Sequence, residues 1–211
     1  MSRLKYGIPR PVDPGSHGAY SVGQTSGIIA AGLAADSEVF QFRWANSGVN
    51  AVIQSITVSA AVSTTYFAAG VPLRLALYRV SAWTAAGTGG TALTPAALGK
   101  KRSSFASTVL ASGDCRIAST GALGAGTKTI EGSAMHQISA GAPITSSLSG
   151  QVFLANTSML PINIGEGDYP LVLSAQASAY EGFVITAPET PGTGTWKLVV
   201  NVQWTETSSY P

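Results

Sequence analysis

Apolar and polar residues alternate with a period of two along several segments of the chain. The clearest is residues 196–204, where the even-numbered positions are apolar and Val199 is the single exception among the odd-numbered ones. Three other segments share this period, and they begin at Glu38, Val52 and Leu73. Such a period places one face of a strand against a core and the other toward solvent. The pattern therefore predicts half-buried antiparallel strands.

Four further segments are weaker strand candidates: residues 113–118, 151–155, 169–174 and 181–187. Four clusters rich in glycine or proline separate the candidates and favour turns: residues 87–90, 121–126, 165–167 and 188–194. No segment sustains a helical repeat, although residues 30–38 could form one or two helical turns. About eight strands joined by glycine-rich loops predict an all-β fold, an antiparallel β-sandwich of the jelly-roll or immunoglobulin-like kind.

Residues 1–20 differ from the rest and are predicted to form an extended N-terminal arm. Pro9, Pro11 and Pro14 favour extended backbone there. The arm is either a disordered tail or a strap that docks on a neighbouring subunit. In the second case, its basic and aromatic side chains would make the contacts: Arg3, Lys5, Tyr6 and Arg10. Residues 21–211 are predicted to form a single sandwich domain.

The composition excludes several classes of protein. Charged residues make up 10% of the 211 residues, apolar residues make up 45%, and the formal net charge is +2. The low charge excludes a highly charged disordered chain and a coiled coil, and the net charge gives no global field for nucleic acid. The single cysteine, Cys115, excludes internal disulfides and a cysteine-based zinc site. A chain so poor in charge favours a subunit of an assembly.

Two long segments, residues 44–73 and 132–165, contain no charged residue. Both contain amide, hydroxyl, glycine and proline residues throughout, and neither has the run of about 20 apolar residues that a membrane helix needs. The basic N-terminus is not followed by the apolar core of a secretory signal. The sequence therefore predicts neither a membrane span nor a signal peptide.

Residues suited to catalysis or metal binding are sparse. His17 and His136 have no carboxylate or cysteine at ligand spacing, and neither a Gly-x-Ser-x-Gly elbow nor a phosphate-binding glycine motif is present. Two pairs of acidic residues lie close in sequence: Asp36 with Glu38, and Glu166 with Asp168. The second pair could hold a calcium ion, but a solvated turn is the expected outcome. The sequence predicts a non-enzymatic protein without a cofactor or metal.

Two features outside the arm are candidate contact sites. The consecutive basic residues Lys100, Lys101 and Arg102 form either a solvated loop or a contact with an acidic partner surface. Sequence-specific binding of nucleic acid is not expected, because no recognition helix or stacking aromatic residues accompany them. Trp83 precedes a glycine-rich loop and is predicted to be exposed at an interface. The other tryptophans and the cysteine lie in strand candidates and are predicted to be buried: Trp44, Trp196, Trp204 and Cys115.

Five segments stand out in their order along the chain: EVFQFRW (38–44), SAWTAAGTGGTALT (81–94), DCRIASTGALGAGTKT (114–129), EGFVI (181–185) and GTWKLVVNVQWTE (194–206). Taken together, they resemble small virion proteins of tailed bacteriophages, over most of residues 20–206. The resemblance implies a non-enzymatic β-sandwich subunit on the virion. It brings no catalytic residues with it, so none are assigned.

The resemblance leaves two locations open. A capsid decoration or cement protein would bind the shell of the major capsid protein and stabilise it, commonly as a trimer, with the arm spanning adjacent subunits. A tail, baseplate or fibre subunit would instead contact other virion subunits or host carbohydrate. The short chain and the proline-containing arm favour the capsid surface. A third interpretation, a polysaccharide-active enzyme or a lectin, needs a carboxylate pair beside exposed aromatic residues, which the sequence does not clearly contain.

Overall fold

The chain folds entirely as strands and loops. The computed structural model describes residues 16–67, 71–94, 99–141, 151–160 and 170–208, and these residues form fourteen strands and no helix. In chain order, the strands are β1 (Ser16–Thr25), β2 (Ile29–Ala30), β3 (Ser37–Trp44), β4 (Asn50–Val62), β5 (Leu73–Ala85), β6 (Thr91–Ala92), β7 (Gly99–Lys100), β8 (Cys115–Ile117), β9 (Thr127–Ile130), β10 (His136–Ala140), β11 (Val152–Ser158), β12 (Leu171–Leu173), β13 (Tyr180–Glu189) and β14 (Thr195–Thr207). The predicted all-β class is confirmed, and each of the four weaker strand candidates overlaps a strand.

The strands form two antiparallel sheets. The first sheet has the order β11-β4-β14-β1-β7, with β12 also paired to β4 and β2 to β14. The second sheet has the order β10-β5-β13-β3-β8-β6, with β9 also paired to β5. The inner faces of the two sheets pack together, and the rings of Phe42 in β3 and Trp204 in β14 meet with their centroids 5.4 Å apart. This is the predicted β-sandwich.

The eight strands of five residues or more define the topology: β1, β3, β4, β5, β10, β11, β13 and β14. Numbered one to eight along the chain, they read 6-3-8-1 across the first sheet and 5-4-7-2 across the second. Most successive strands therefore alternate between the sheets, which is the strand order of a jelly roll. The immunoglobulin-like alternative is excluded, because its sheets combine the strands differently.

Aromatic side chains fill the space between the sheets. Phe42 stacks on Phe183 of the neighbouring strand β13, with ring centroids 5.1 Å apart. The three tryptophans predicted to be buried have no exposed surface: Trp44, Trp196 and Trp204. Each large aromatic ring buries about 150–250 Å². This core explains why a chain with one cysteine folds without disulfides.

The prediction of helical turns in residues 30–38 is wrong. Ala30 ends β2, and β3 begins at Ser37. Gly32 and Asp36 have positive φ angles of 73° and 59°, which are incompatible with a right-handed helix. The Gly32 N–H instead donates to the Pro191 carbonyl at 2.8 Å. Contacts with a distant loop therefore override the local preference of an alanine-rich segment.

The predicted boundary of the arm at residue 20 is also wrong. β1 begins at Ser16 and pairs with β14 from Thr207 onward, so residues 16–20 belong to the sandwich. Tyr20 points into the core and is 1% exposed. The sequence of β1 contains two glycines and only a short alternation of apolar and polar residues, so it gives a weak strand signal. Residues 1–15 lie outside the described part of the chain.

Candidate interaction sites

The predicted basic contact site lies at one edge of the first sheet. Lys100 ends β7 and pairs with Tyr20 of β1, and the Lys101 N–H donates to the Ala19 carbonyl at 2.9 Å. The side chains of Lys100, Lys101 and Arg102 are exposed. We call these three residues the basic edge. They flank the strand through which the chain enters the sandwich after residue 15.

The chain after the basic edge crosses from the first sheet to the second, since β7 and β8 belong to different sheets. We call residues 103–111 the covering segment. The Tyr20 hydroxyl donates to the Ala106 carbonyl at 3.1 Å, and Leu110 reaches the core with 3% exposure. The covering segment therefore closes the sandwich over inner-face residues of β1 and β14.

A buried carboxylate holds the covering segment. Glu206 has no exposed surface, and it accepts hydrogen bonds from the Thr108 hydroxyl, the Val109 N–H at 3.3 Å and the Trp204 indole N–H at 3.2 Å. Burial raises the pKa of Glu206, and these hydrogen bonds and His17 oppose the rise. Sequence reasoning missed this residue. The sequence feature that could have indicated it is an acidic residue at an even-numbered position of β14, where the other even-numbered residues are apolar and buried.

The prediction that Trp83 is exposed at an interface is wrong. Its side chain is 1% exposed, and its indole N–H donates to the Ala85 carbonyl at 2.9 Å. The Lys128 ammonium lies over the ring, 4.5 Å from its centroid. The strand β5 continues to Ala85, and its register against β13 shifts between Val80 and Trp83. The ring therefore lies on the outer face of the second sheet, where Lys128 of β9 covers it.

The ion pairs found among the described residues lie on the second sheet. Each joins side chains of second-sheet strands or of residues adjacent to them. The most buried pair is Lys128 with Glu38, at 2.7 Å, and Gln41 also donates to Glu38 at 2.6 Å. Burial lowers the pKa of Lys128, and Glu38 opposes that shift. These charges are satisfied within the chain.

The outer face of the first sheet differs in chemistry. The strands of this sheet contain three charged residues, Lys100, Lys197 and the inward-facing Glu206. The middle of the face holds an open cavity of about 360 Å³. Its lining contains no charged and no aromatic side chain: Ser21, Val22, Gly23, Ser55, Thr57, Asn156, Asn201, Val202 and Gln203. We call it the polar concavity.

The alternation in the sequence places Ser55, Thr57, Asn201 and Gln203 opposite the apolar faces of their strands, but it does not show that these side chains meet. Their meeting follows from the strand order β11-β4-β14-β1 and from the register. In that register, Gln203 lies between Ser21 and Ser55, and Asn201 lies between Gly23 and Thr57. The concavity therefore depends on four segments that are far apart in the chain.

The remaining candidates carry little chemistry. His17 is exposed on β1, and His136 lies in β10. Within the described ranges, no group of three potential ligands is placed to hold a metal ion. Cys115 is buried in β8 as predicted, and burial raises the pKa of its thiol well above the ordinary value. The described residues also form no helix able to cross a membrane.

Several predicted residues fall outside the described part of the chain. These are the arm candidates Arg3, Lys5, Tyr6 and Arg10, and the acidic pair Glu166 and Asp168. No family model matches the chain, and neither a curated protein nor a solved structure matches it. Functional inference therefore depends on the geometry of the chain itself.

Proposed function

We propose that the protein is a non-enzymatic structural subunit of a tailed-phage virion, a capsid decoration or cement protein that binds the shell of the major capsid protein. The basic edge is the observation that carries the proposal. It lies beside the beginning of β1, because Lys100 pairs with Tyr20 and the Lys101 N–H bonds to Ala19. These partners follow residues 1–15, the other predicted contact region, by four or five positions in the sequence. Attachment through this edge leaves both faces of the sandwich free.

Hydrogen bonds connect the basic edge to the covering segment and to β14. The Lys101 ammonium donates to the Gln203 side chain at 2.7 Å, and the Lys100 ammonium donates to the Phe105 carbonyl at 3.2 Å. Glu206 holds the covering segment that follows. A fixed arrangement of charges loses less conformational freedom on binding than a flexible loop does. An acidic surface on the capsid shell is the complementary partner.

The proposed stabilisation of the shell follows from mass action. A subunit that binds the assembled shell but not its dissociated components shifts the equilibrium toward the shell. Repetition over many symmetry-related positions multiplies weak contacts, and a trimer would present three basic edges at once. Light scattering during size-exclusion chromatography would measure the oligomeric state of the protein in solution.

The test replaces the basic edge by acids. The triple variant Lys100→Glu, Lys101→Glu, Arg102→Glu should bind particles of the encoding phage, assembled without this protein, at least about tenfold more weakly at low salt. Co-sedimentation at about 50 mM and 300 mM salt measures the binding. The wild type should lose affinity with added salt, and the triple variant should not.

A single-charge pair provides the matched control. Arg102→Glu changes the basic edge, whereas Lys197→Glu makes the same charge change at an exposed position of β14. Arg102→Glu should reduce the amount of protein that sediments with particles, and Lys197→Glu should leave it unchanged. Equal effects of the two variants, or a triple variant that binds like the wild type, would show that the basic edge is ordinary solvated surface.

Location on the particle separates the proposal from the tail, baseplate or fibre alternative. Electron cryomicroscopy of purified particles should show the jelly roll at many symmetry-related positions on the shell. Density confined to the tail or to a single vertex would overturn the capsid assignment. The polar concavity is the observation that favours an adhesive role at such a position.

A further inference from the structure

The polar concavity on the first sheet has the chemistry of a ligand site. We propose that it binds a neutral saccharide. The inference goes beyond attachment to a particle and does not depend on it. The basic edge and the concavity use different side chains, which meet where Lys101 bonds to Gln203. Three independent features support it: the hydrogen-bonding groups that converge there, the space kept open by Gly23, and the strained position of Asn156.

The converging side chains are hydroxyls and amides. Gln203, Asn201 and Thr57 are half-buried, and the next strands contribute Ser21 and Ser55. Hydroxyl and carboxamide groups offer both donors and acceptors without charge. The same two capacities are found in every sugar hydroxyl. Strands about 4.8 Å apart present these groups in regular rows.

Internal hydrogen bonds fix which polar atoms remain available. Asn201 Nδ2 donates to Thr57 Oγ1 at 3.3 Å, so Asn201 keeps Oδ1 as an acceptor and Thr57 keeps its hydroxyl proton as a donor. Gln203 Oε1 accepts from the Lys101 ammonium at 2.7 Å, so the amide nitrogen of Gln203 is left as a donor. The site therefore offers preset donors and an acceptor.

Gly23 keeps the floor of the concavity open. A Cβ atom at this position would lie 2.8 Å from Asn201 Oδ1, closer than normal contact. A side chain there would displace the Asn201 amide and disturb its bond to Thr57. The backbone of Gly23 does not have a positive φ angle, so a left-handed conformation does not account for glycine here. Glycine is required at this position because the space beside Asn201 is too small for a Cβ atom.

Asn156 reaches the concavity from a strained backbone. Its φ angle is 28°, in a region that side-chain-bearing residues seldom occupy, although asparagine occupies it more readily than most. It lies at an irregularity where three steps along β11, from Leu154 to Thr157, match two along β4. Bulges and strained residues concentrate next to binding sites, where they direct a side chain.

The size and charge of the concavity select the ligand class. A volume of about 360 Å³ lies at the lower end of the range for small-molecule sites. No ion pair between described residues lies beside it, and the ammonium of Lys101 is already bonded to Gln203. A neutral sugar unit of a glycan fits better than an anion. Because no aromatic ring lines the site, a single unit should bind with a Kd of about 1 mM, strengthened by many copies on a particle.

The test uses glucose, galactose, mannose and N-acetylglucosamine as probes. Each is titrated to about 50 mM into isotope-labelled protein while backbone amide NMR signals are recorded. At least one sugar should shift the signals of Thr57, Asn201 and Gln203. Asn156→Gly should weaken that response at least about tenfold, without loss of folding, because glycine relieves the positive φ angle.

Two further variants complete the test. Gly23→Ala should abolish the response by displacing Asn201, whereas Ser59→Ala, on the same strand as Thr57 but outside the lining, should leave it unchanged. The proposal is overturned if no sugar shifts these signals, or if Asn156→Gly and Ser59→Ala respond alike. It is also overturned if the same signals shift with protein concentration alone, because the face would then bind a second copy.

Discussion

Close contacts at single residues decide how the outer face of the second sheet is closed. Gly182 of β13 lies directly against Trp83 of β5. A Cβ atom at residue 182 would lie 2.3 Å from the Phe42 carbonyl oxygen and 2.7 Å from the indole ring. Neither distance is tolerated without movement of the backbone or of a large ring. Glycine at this position is therefore a requirement of packing.

The Gly182→Ala variant should be less stable than the wild type. Overpacking of this kind lowers the free energy of unfolding by about 1–3 kcal/mol. Urea unfolding followed by tryptophan fluorescence measures the change. Gly192→Ala is the matched control, because a Cβ atom at residue 192 would meet no atom within 4 Å. Equal stability of the two variants would contradict the contact seen between Gly182 and Trp83.

Among the elements, the covering segment is the one that a single buried acid holds in place. Glu206 lies on the inner side of β14, next to Tyr20, and His17 is the nearby titratable group that lowers its pKa. Its hydrogen-bond donors come from Thr108, Val109 and Trp204. The ordinary pKa of the carboxyl is 4.5, and burial raises it in the folded protein. The folded state therefore holds the proton more tightly than the unfolded state does.

The pH dependence of stability should reveal this carboxylate. As the pH rises from about 4.5 through the folded pKa of Glu206, the free energy of unfolding of the wild type should fall relative to that of Glu206→Gln. Above the folded pKa, the difference should be constant. Urea unfolding at several pH values between about 4 and 8 measures it. A difference that does not change with pH would contradict the burial of an ionisable group here.

A second variant tests the hydrogen bond that Thr108 donates. Thr108→Val removes the hydroxyl that favours the ionised carboxylate, so the pKa of Glu206 should rise further. The fall in stability should then extend to higher pH than in the wild type. Thr190→Val removes a hydroxyl bonded to the Leu33 carbonyl and serves as the control. Its pH dependence should match that of the wild type.

The elements also show which features the sequence can predict. The alternation in β14 is strong because one face is buried along almost its whole length, so the pattern alone places Trp196 and Trp204 in the core. The sequence allows one or two helical turns between Ala30 and Glu38, because the bonds of this segment to a distant loop leave no local signal. Trp83 was predicted as exposed because a shift in register decides its direction. The polar concavity depends on strand order, which no single segment encodes.

The whole molecule has two faces of opposite character. The second sheet carries the ion pairs of the described residues, and Trp83 and Lys128 lie on its outer face, so most of its charges are paired within the chain. The first sheet exposes an almost uncharged face and ends at the basic edge. External contacts are therefore expected on the first sheet and at its edge, the two places proposed here for a sugar and for the capsid shell.

Removal of residues 1–15 tests this division at the scale of the whole molecule. The described fold begins at Ser16, where β1 pairs with Thr207, so the truncated protein should unfold at the same urea concentration as the full chain. Its sedimentation with particles should decrease, if the arm and the basic edge act together.

Tyr20→Ala, in contrast, should destabilise the fold. Its free energy of unfolding should be lower than that of the wild type by about 3–5 kcal/mol, because the centroid of the Tyr20 ring lies 5.7 Å from that of Trp204 in the core.

The two outcomes of the truncation have different meanings. A truncated protein that folds normally but no longer sediments with particles places the attachment in the arm, and the charge-reversal variants then measure what the basic edge adds. A truncated protein that binds as tightly as the full chain removes the arm from the interface. In that case the charge-reversal variants of Lys100, Lys101 and Arg102 should remove most of the salt dependence of a contact made by the first sheet, because its described strands present one other exposed charge, Lys197.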